Sequence, residues 1–437
     1  MHGQEAVSGA SASVGVGDDR SMALQIDTGT SSSGPIWQVL SIGGYRRYWI
    51  AQLLISIVTG TVRFAFVWLM LDLSTWKPAL GLMGFCLGIP VTLITLPAGV
   101  ISDRYDRRSL VGVGALLGAV VLGTTAIVSG TGSVSVGLAL LLAFLSAGSL
   151  GVVAPAQQAM VPSLVPRELL MTGIALQGIG QNTAQLAGVL VGGAAIDVLG
   201  TSRAFGLLAG ILVVAATVMR GVPDHAGGPR RREGSVTATI RTSVFDGVRF
   251  VRTRPVLRAV VTVALLGGTC GGVNQLLLPG IARSEMGASA FRASLLFGGL
   301  GLGMISTTLG LASRPGLQHP GRLLAFWFFI TCGPGLVLMG ATTYYWVAMS
   351  GMVIWGLGGG FVMTTQRTLL QRHTSDELMG RVISVHTLAL QGSYPIAAII
   401  AFGLGTVLER RTILISIGVV SAVLAGGVAL RSPLRDN

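Results

Sequence analysis

The densest group of charged residues in this chain is Gly99–Arg108, with the sequence Gly-Val-Ile-Ser-Asp-Arg-Tyr-Asp-Arg-Arg. Its five charges stand between two long apolar runs. A carboxylate is stabilised near a helix N-terminus, and arginines bind carboxylates and phosphates. The segment could therefore hold an ionic contact that forms and breaks. The alternative is that these charges only keep a short turn in water.

Arg63 lies inside a long apolar run, where packing alone does not explain a charge. A cation at the centre of a bilayer costs roughly 2.5 to 3.5 kcal/mol on insertion scales. Two interpretations remain open. Arg63 either faces a watery cavity and contacts an anionic or oxygen-rich substrate, or it snorkels or joins a structural hydrogen-bond network.

Proton transfer has few candidate groups, because none of the 17 acidic residues falls in the middle of an apolar run. His386 lies about two turns into a late run, and imidazole titrates near neutral pH. We take His386, Asp103 and Asp72 as the candidates for proton coupling. A structural hydrogen bond is the alternative for His386.

Side-chain amides inside apolar runs are candidates for lining a substrate cavity. They are Gln181, Gln185, Asn274, Gln275, Gln366 and Gln391. Gln181 and Gln185 are four residues apart and share a helix face. Amides also join helices in membranes by hydrogen bonds, so both interpretations stay open for each one.

Metal, cofactor and enzyme chemistry are not indicated by any motif. The five histidines are dispersed, and Cys86, Cys270 and Cys332 stand alone in apolar runs. The chain lacks the G-x-x-x-x-G-K-S/T phosphate loop, H-E-x-x-H and G-x-S-x-G. We therefore expect no cofactor, no metal and no enzymatic activity.

The elements that must position these residues are membrane helices. Only 11% of the residues are charged and 51% are hydrophobic, with a mean hydropathy of +0.73, whereas in soluble domains roughly a quarter of residues are charged. The net charge of +13 does not indicate nucleic-acid binding, because the basic residues sit in the gaps between apolar runs. The composition predicts a polytopic membrane protein.

Twelve apolar runs predict an all-α membrane protein with two pseudo-symmetric six-helix bundles. The expected domains are a disordered cytoplasmic tail (1–44), an N-terminal bundle (45–221), a cytoplasmic linker with an amphipathic helix (222–255), a C-terminal bundle (256–431) and a short cytoplasmic tail (432–437). Two halves of this kind indicate a transporter with a site between them.

The distribution of positive charge predicts orientation. Most of the 30 lysines and arginines fall in the two tails and the even-numbered turns, and the odd-numbered turns hold six: Lys77, Arg203, Arg283, Arg292, Arg410 and Arg411. Because positively charged loops stay on the cytoplasmic side, both termini are predicted to be cytoplasmic.

Gly99, Asp103, Arg104, Arg107 and Arg108 resemble the G-x-x-x-D-R-x-x-R-R loop between helices 2 and 3 of the major facilitator superfamily. The Tyr-Asp before the last two arginines is similar to the branch of this family that exports drugs and siderophores, with enterobactin exporters and macrolide efflux pumps. The helix 5 antiporter pattern N-x-x-R-x-x-G-P-x-x-x-G is only partly kept. Gln185 replaces its arginine and Val189 its proline, which weakens the case for proton antiport.

The resemblance implies a latch. Asp103 is expected to dock against the start of helix 11 in the outward-facing state. Arg104 belongs to the same loop, and Arg107 and Arg108 are expected to bind neighbouring carboxylates or lipid phosphates. It further implies a monomeric secondary transporter in the bacterial cytoplasmic membrane that exports small amphipathic molecules, a drug or a siderophore, with protons as a possible partner. An importer, and a non-transporting sensor or scaffold on the same fold, are the alternatives.

Overall fold

Long apolar segments separated by short polar turns form helices throughout the chain. The computed structural model describes residues 35–76, 78–104, 106–223, 247–312 and 320–431. Within these ranges every regular element is a helix. The prediction of an all-α membrane protein with twelve helices in two bundles is confirmed.

Six helical segments form the first half. They are α1 (Gly43–Leu73), α2 (Ala79–Arg104), α3 (Arg107–Gly130), α4 (Val136–Gly151 followed by Val153–Leu164), α5 (Leu170–Leu199) and α6 (Thr201–Arg220). A short helix, Pro35–Ser41, precedes α1. It lies inside the segment that the sequence predicts to be a disordered tail, and its Val39 is buried.

Six more form the second half. They are α7 (Pro255–Met286), α8 (Ala290–Ala312), α9 (Pro320–Trp327, Phe328–Cys332 and Gly333–Ala341), α10 (Tyr345–Arg372), α11 (Asp376–Gln391 and Ser393–Gly405) and α12 (Arg410–Arg431). Of the predicted amphipathic linker helix, residues 247–253 are helical, with Gly247 and Val251 buried, and the preceding residues 224–246 lie outside the described ranges.

Prolines explain why three of these helices are irregular. A proline removes one backbone hydrogen bond and clashes with the carbonyl four residues earlier. The break in α4 after Gly151 lies four residues before Pro155, and the break in α11 after Gln391 lies four before Pro395. The π-helical turn Phe328–Cys332 of α9 likewise spans the position four residues before Pro334.

Glycines allow the helices of each half to pack backbone against backbone. A Cβ atom at Gly60 of α1 would lie 2.1 Å from the Gln185 carbonyl oxygen, and one at Gly188 of α5 would lie 2.2 Å from the Ile57 carbonyl oxygen. Small residues at such crossings are how membrane helices associate closely without a hydrophobic driving force. They account for part of the high glycine content of the chain.

The two halves meet near the end of the molecule that carries the α1–α2 turn, which we call the predicted outer end. There α2 packs on the second segment of α11, and α5 packs on α8. Gly81 of α2 lies against Phe402, and Gly193 of α5 lies against Ser294. At the opposite, predicted inner end, the first segment of α11 packs on α7 and α10 of its own half. Between the described helices of the two halves, close packing is therefore found at the predicted outer end.

Candidate functional site

Long buried stretches of α1 and α7 lie toward the predicted outer end, and we call them the ceiling. In α1, seven consecutive residues from Phe64 to Met70 are buried, and in α7 the same is true from Leu276 to Ala282. The residue just before each stretch, Arg63 in α1 and Gln275 in α7, is half-buried. Both predicted cavity residues therefore occupy equivalent positions immediately below the ceiling.

Arg63 contacts the opposite half of the molecule. Its guanidinium carbon lies 5.1 Å from the centroid of the Tyr394 ring on α11, within the range of a cation–π interaction. Tyr394 is 8% exposed, and its hydroxyl is a buried group without a hydrogen-bond partner. In the described part of the chain no carboxylate forms an ion pair with Arg63. The only other described acids on these helices lie near helix ends.

Two carboxylates close the predicted outer end by contacts across the halves. The carboxylate of Asp72 on α1 pairs with Arg283 of α7, with an N–O distance of 2.5 Å, and Arg283 also lies 5.1 Å from the centroid of the Trp68 ring. Asp197, at the end of α5, accepts hydrogen bonds from the backbone N–H groups of Ala290 at 2.8 Å and Phe291 at 2.9 Å. These are the first residues of α8, so Asp197 caps a helix of the other half.

Aromatic contacts complete this closure. Phe64 of α1 meets Phe297 of α8 edge-on, with ring centroids 6.3 Å apart. Trp76 in the α1–α2 turn meets Phe402 of α11 at 6.0 Å. We call the ionic and aromatic contacts together the outer gate. It comprises Asp72–Arg283, Asp197–α8, Phe64–Phe297 and Trp76–Phe402.

The predicted amide positions differ in accessibility. Gln181, Gln185 and Gln275 are half-buried and Gln391 is exposed, whereas Asn274 and Gln366 are buried. Asn274 donates from Nδ2 to the Met352 sulfur at 3.7 Å, and its Oδ1 has no partner. The two buried amides are thus held inside the C-terminal half in this conformation.

His386 is hydrogen-bonded within the same half. Its Nε2 lies 3.0 Å from Oε1 of Gln366 on α10, and Nε2 of Gln366 is buried without a partner. His386 and Gln366 were named separately as candidates, and the structure brings them together. Asp72, the other described proton candidate, lies in the outer gate, whereas His386 lies on the first segment of α11.

Part of the predicted latch lies at the predicted inner end of α2. Gly99, Asp103 and Arg104 belong to the last turns of that helix, and their side chains lie outside the described residues. Arg107 donates to the Ala159 carbonyl oxygen of α4 at 2.6 Å, and Arg108 donates to the Arg220 carbonyl oxygen at the end of α6. These arginines bind helix C-terminal regions of their own half, where a cation is electrostatically favoured.

Asp106 has a structural role in this turn that the sequence analysis did not predict. Its carboxylate caps α3 by accepting from the backbone N–H groups of Arg108 at 3.3 Å and Ser109 at 2.8 Å. Burial raises the pKa of the Asp106 carboxyl, but hydrogen bonds from Ser109 and Arg108 outweigh it and hold the pKa below its usual value. Aspartate shortly before an apolar run, which begins here at Leu110, is a helix-start signal that predicts this role.

The fold and the geometry of these contacts agree with the comparison against known families. The model described as Major Facilitator Superfamily matches residues 48–398. The chain belongs to the Major Facilitator Superfamily. It is therefore a multi-pass membrane transporter and not an enzyme.

Among curated relatives of this transporter, enterobactin exporter EntS from Shigella boydii serotype 18 and from Escherichia coli O139:H28 are each 25% identical over 362 residues. The match covers 78% of this chain and 79% of theirs. This relationship is distant but spans both halves.

Solved structures support the fold. A POT family transporter in complex with 5-aminolevulinic acid has a TM-score of 0.68 at 14% identity, covering 89% of this chain and 96% of its own. Nucleoside transporter NupG has a TM-score of 0.66 at 12% identity, covering 89% and 99%. A bacterial homologue of the human lysosomal transporter Spinster, described as inward-facing and unoccupied, has a TM-score of 0.63 at 14% identity, covering 91% and 97%.

A polar network inside the N-terminal half of the transporter was not predicted as a group. Gln177 of α5 donates to the Tyr48 hydroxyl at 2.7 Å, Tyr48 donates to the Gln157 carbonyl oxygen at 2.9 Å, and Gln52 donates to the Gln177 carbonyl oxygen at 2.9 Å. These buried residues tie α1, α4 and α5 together. Tyr48 and Gln52 share one face of α1 by their spacing of four, which is the signal that could have found them.

Proposed function

We propose that this transporter exports small amphipathic molecules, a siderophore or a drug, across the bacterial cytoplasmic membrane by alternating access, with both termini in the cytoplasm. The observation that carries the proposal is the position of the described contacts between the halves, which the outer gate concentrates at the predicted outer end. Such a conformation accepts a substrate from the cytoplasm. The relatives named as exporters, at 25% identity, favour this direction of transport.

Export requires the outer gate to break and the predicted inner end to close. The proposed partner of this motion is the latch, in which Asp103 docks against the start of α11 near Thr374–Leu378. The outer gate and the latch would then stabilise opposite conformations of a single monomer. Transport would alternate between them, because a ligand shifts such an equilibrium only by binding one state more tightly.

Proton antiport is the proposed source of energy. With no acidic residue in the middle of any helix, the proton would be carried by His386 or by a carboxylate at a helix end. Imidazole suits this role because its protonation changes between about pH 5 and 8. The hydrogen bond from His386 to Gln366 offers a partner that can accept from either protonation state of the ring.

Reconstitution of the full chain into liposomes with an imposed pH gradient tests substrate, direction and coupling together. Catecholate siderophores and macrolides would be followed with the transporter in either orientation. We expect one of these classes to move in the direction opposite to the protons and to accumulate. We expect no accumulation when the proton gradient is collapsed. Equilibration of the substrate that does not depend on the pH gradient would contradict proton antiport. The absence of movement for both classes would contradict the proposed substrates.

The alternative of a non-transporting sensor is separated by expression in a host that lacks its own efflux pumps. We expect lower accumulation of the substrate in cells that express this chain. An Asp103→Asn variant is expected to reduce the export rate at equal expression, because it removes the charge of the proposed latch. Unchanged export by that variant would exclude the latch while leaving the export function standing.

A further inference from the structure

Arg63 is the basic residue that lies deepest inside the described helices. Counted along the described helices, every other lysine or arginine lies within about two turns of a helix end, whereas Arg63 stands ten residues inside the end of α1 at Leu73. At a rise of 1.5 Å per residue this is about 15 Å, half the thickness of a hydrocarbon core. The residue is half-buried, so part of its side chain is accessible.

Among the residues whose side chains the structure describes, no carboxylate pairs with Arg63. The acids on the membrane helices stand near helix ends, at Asp72, Asp103, Asp197, Glu285, Asp376 and Glu377. In a medium of low dielectric constant, an unbalanced guanidinium attracts anions and repels cations strongly. The accessible part of Arg63 therefore favours a substrate that carries negative charge.

The ring of Tyr394 contacts the Arg63 guanidinium where a negatively charged counter-ion would bind it more strongly. Its ring lies 5.1 Å from the Arg63 guanidinium carbon, and its buried hydroxyl has no hydrogen-bond partner. An anionic oxygen would accept charge-assisted hydrogen bonds from the guanidinium, and these are stronger than the contact that the ring provides. The contact between Arg63 and Tyr394 also joins α1 of one half to α11 of the other.

We propose that an anionic group of the substrate binds Arg63 in place of the Tyr394 ring, and that this exchange releases one of the contacts that hold the ceiling closed. The proposal rests on the transport function and names the substrate class of the same site as organic anions with an apolar body. Organic cations are excluded by the same charge. The substrate thereby weakens the conformation that admitted it, which is how a ligand can promote alternating access.

Charge-matched probes test the binding step. Naphthalenesulfonate and naphthylmethyl-trimethylammonium share an aromatic body and carry permanent, opposite charges. Equilibrium dialysis of the purified full chain is expected to show about tenfold tighter binding of the sulfonate. Arg63→Met is expected to remove this preference, and Arg63→Lys to keep it in weaker form because a positive charge remains.

Arg203→Gln is the matched control. Arg203 is exposed near the start of α6, so this variant removes one positive charge without touching the ceiling and is expected to bind both probes as the unmodified chain does. Equal binding of the two probes by the unmodified chain, or a sulfonate preference that survives Arg63→Met, would overturn the proposal. Failure of the sulfonate to bind at millimolar concentration would overturn it as well.

A distance measurement tests the release of the ceiling. Spin labels at Ser133 and Val407, which are exposed in outer turns of opposite halves, report separation of the halves in a Cys86→Ser background that retains the buried Cys270 and Cys332. Saturating sulfonate is expected to increase the population with a longer distance in the unmodified chain and not in Arg63→Met. Tyr394→Leu is expected to increase that population without any probe.

Neither measurement uses a gradient or depends on the direction of flux. If both succeed and liposome export fails, the proposed export function is wrong and the anion site stands. If the probe leaves the distance unchanged, or changes it equally in Arg63→Met, the coupling between Arg63 and the ceiling is wrong even if export is observed.

Discussion

Asp197 and Ala290 belong to different halves of this transporter and are joined by a hydrogen bond of 2.8 Å from the Ala290 backbone N–H to the Asp197 carboxylate. A second bond comes from the Phe291 N–H. The residue that precedes α8, Ser289, accepts from the Arg292 N–H at 3.3 Å, and Asp197 of the other bundle adds a second cap for the two N–H groups before it. The first turn of α8 therefore loses its capping carboxylate whenever the outer gate opens.

Replacement of Asp197 by Ala should favour opening of the predicted outer end. Loss of a capping side chain costs about 1 kcal/mol, which corresponds to an increase of about fivefold in the open-to-closed ratio if the cost falls on the closed state alone. Spin-label distances between the two halves measure this ratio.

Asn is the matched control at this position, since its side-chain oxygen still accepts from backbone N–H groups. We expect Asp197→Asn to lie between Asp197→Ala and the unmodified chain. If Asp197→Ala leaves the distance distribution unchanged, the cap contributes nothing to closure.

The ion pair between Asp72 and Arg283 should contribute less than its distance suggests. The two side chains are 35% and 39% exposed, and exposed pairs typically contribute about 0.2 to 1 kcal/mol. A double-mutant cycle with Asp72→Asn and Arg283→Gln, scored on the open-to-closed ratio, is expected to give a coupling of about 0.5 kcal/mol that shrinks at high salt.

The pair between Glu285 and Arg411, at 3.1 Å, is the control for this cycle because both residues belong to the C-terminal half. Neutralising it with Glu285→Gln is expected to alter the free energy of unfolding slightly and to leave the open-to-closed ratio unchanged. An equal shift from both pairs would show that the ratio responds to surface charge in general.

The helices of the fold could be predicted from the sequence, but the contacts between them could not. The lengths of the apolar runs predict twelve helices, and Pro155 and Pro395 mark the breaks in α4 and α11 that we did not predict. Arg63 and Gln275 were named as cavity residues from polarity alone. Their equivalent position below the ceiling depends on where burial begins along each helix, which only the packing of the two bundles determines.

Contacts between the two halves could not be predicted from the sequence, for a physical reason. Asp197 and Ala290 are 93 residues apart, and no local pattern specifies which helix start an exposed carboxylate will cap. The same holds for Arg63 and Tyr394. Local signals, by contrast, were available and could have been used, as the capping position of Asp106 shows.

Gly188→Ala should destabilise the packing of α1 on α5. The added Cβ would lie 2.2 Å from the Ile57 carbonyl oxygen, a backbone atom that no side-chain rotation can move. Overpacking of this kind costs about 1 to 3 kcal/mol. Thermal unfolding of the purified protein in detergent measures the loss.

Gly178 lies on the same helix and a Cβ there would meet nothing within 4 Å. Gly178→Ala is therefore expected to leave stability unchanged or to raise it by about 0.5 kcal/mol, because alanine restricts the unfolded chain. Equal losses from the two variants would indicate that helix flexibility, and not the close approach of backbones, explains the glycines of α5.

Asp106 should make the stability of α3 depend on pH. Its pKa is lowered in the folded protein, so the carboxylate's contribution is present above the ordinary aspartate pKa and is lost as the pH falls through the lowered value. Asp106→Ala is expected to cost about 1 kcal/mol at neutral pH. Asp106→Ser retains an oxygen that caps the helix and should recover most of this stability without the pH dependence. If all three proteins show the same dependence of unfolding on acid pH, another carboxylate is responsible.

His386→Gln should remove the dependence of transport on the pH gradient while retaining transport down a substrate gradient. Its Nε2 bonds to Gln366, and an amide at position 386 can keep that hydrogen bond but cannot take up a proton. The measurement is the initial rate of substrate movement in liposomes between about pH 5.5 and 8, where histidine titrates.

His373→Gln is the matched control, because His373 bonds through Nδ1 to the Leu369 carbonyl oxygen at the end of α10, at 3.0 Å, and is not part of the His386–Gln366 pair. A pH profile that is unchanged by His386→Gln and altered by His373→Gln would place any titration that affects transport at the predicted inner end of α10. A pH profile that is unchanged by both variants would leave the carboxylates at the helix ends as the candidate proton carriers, since no acid stands in the middle of a described helix.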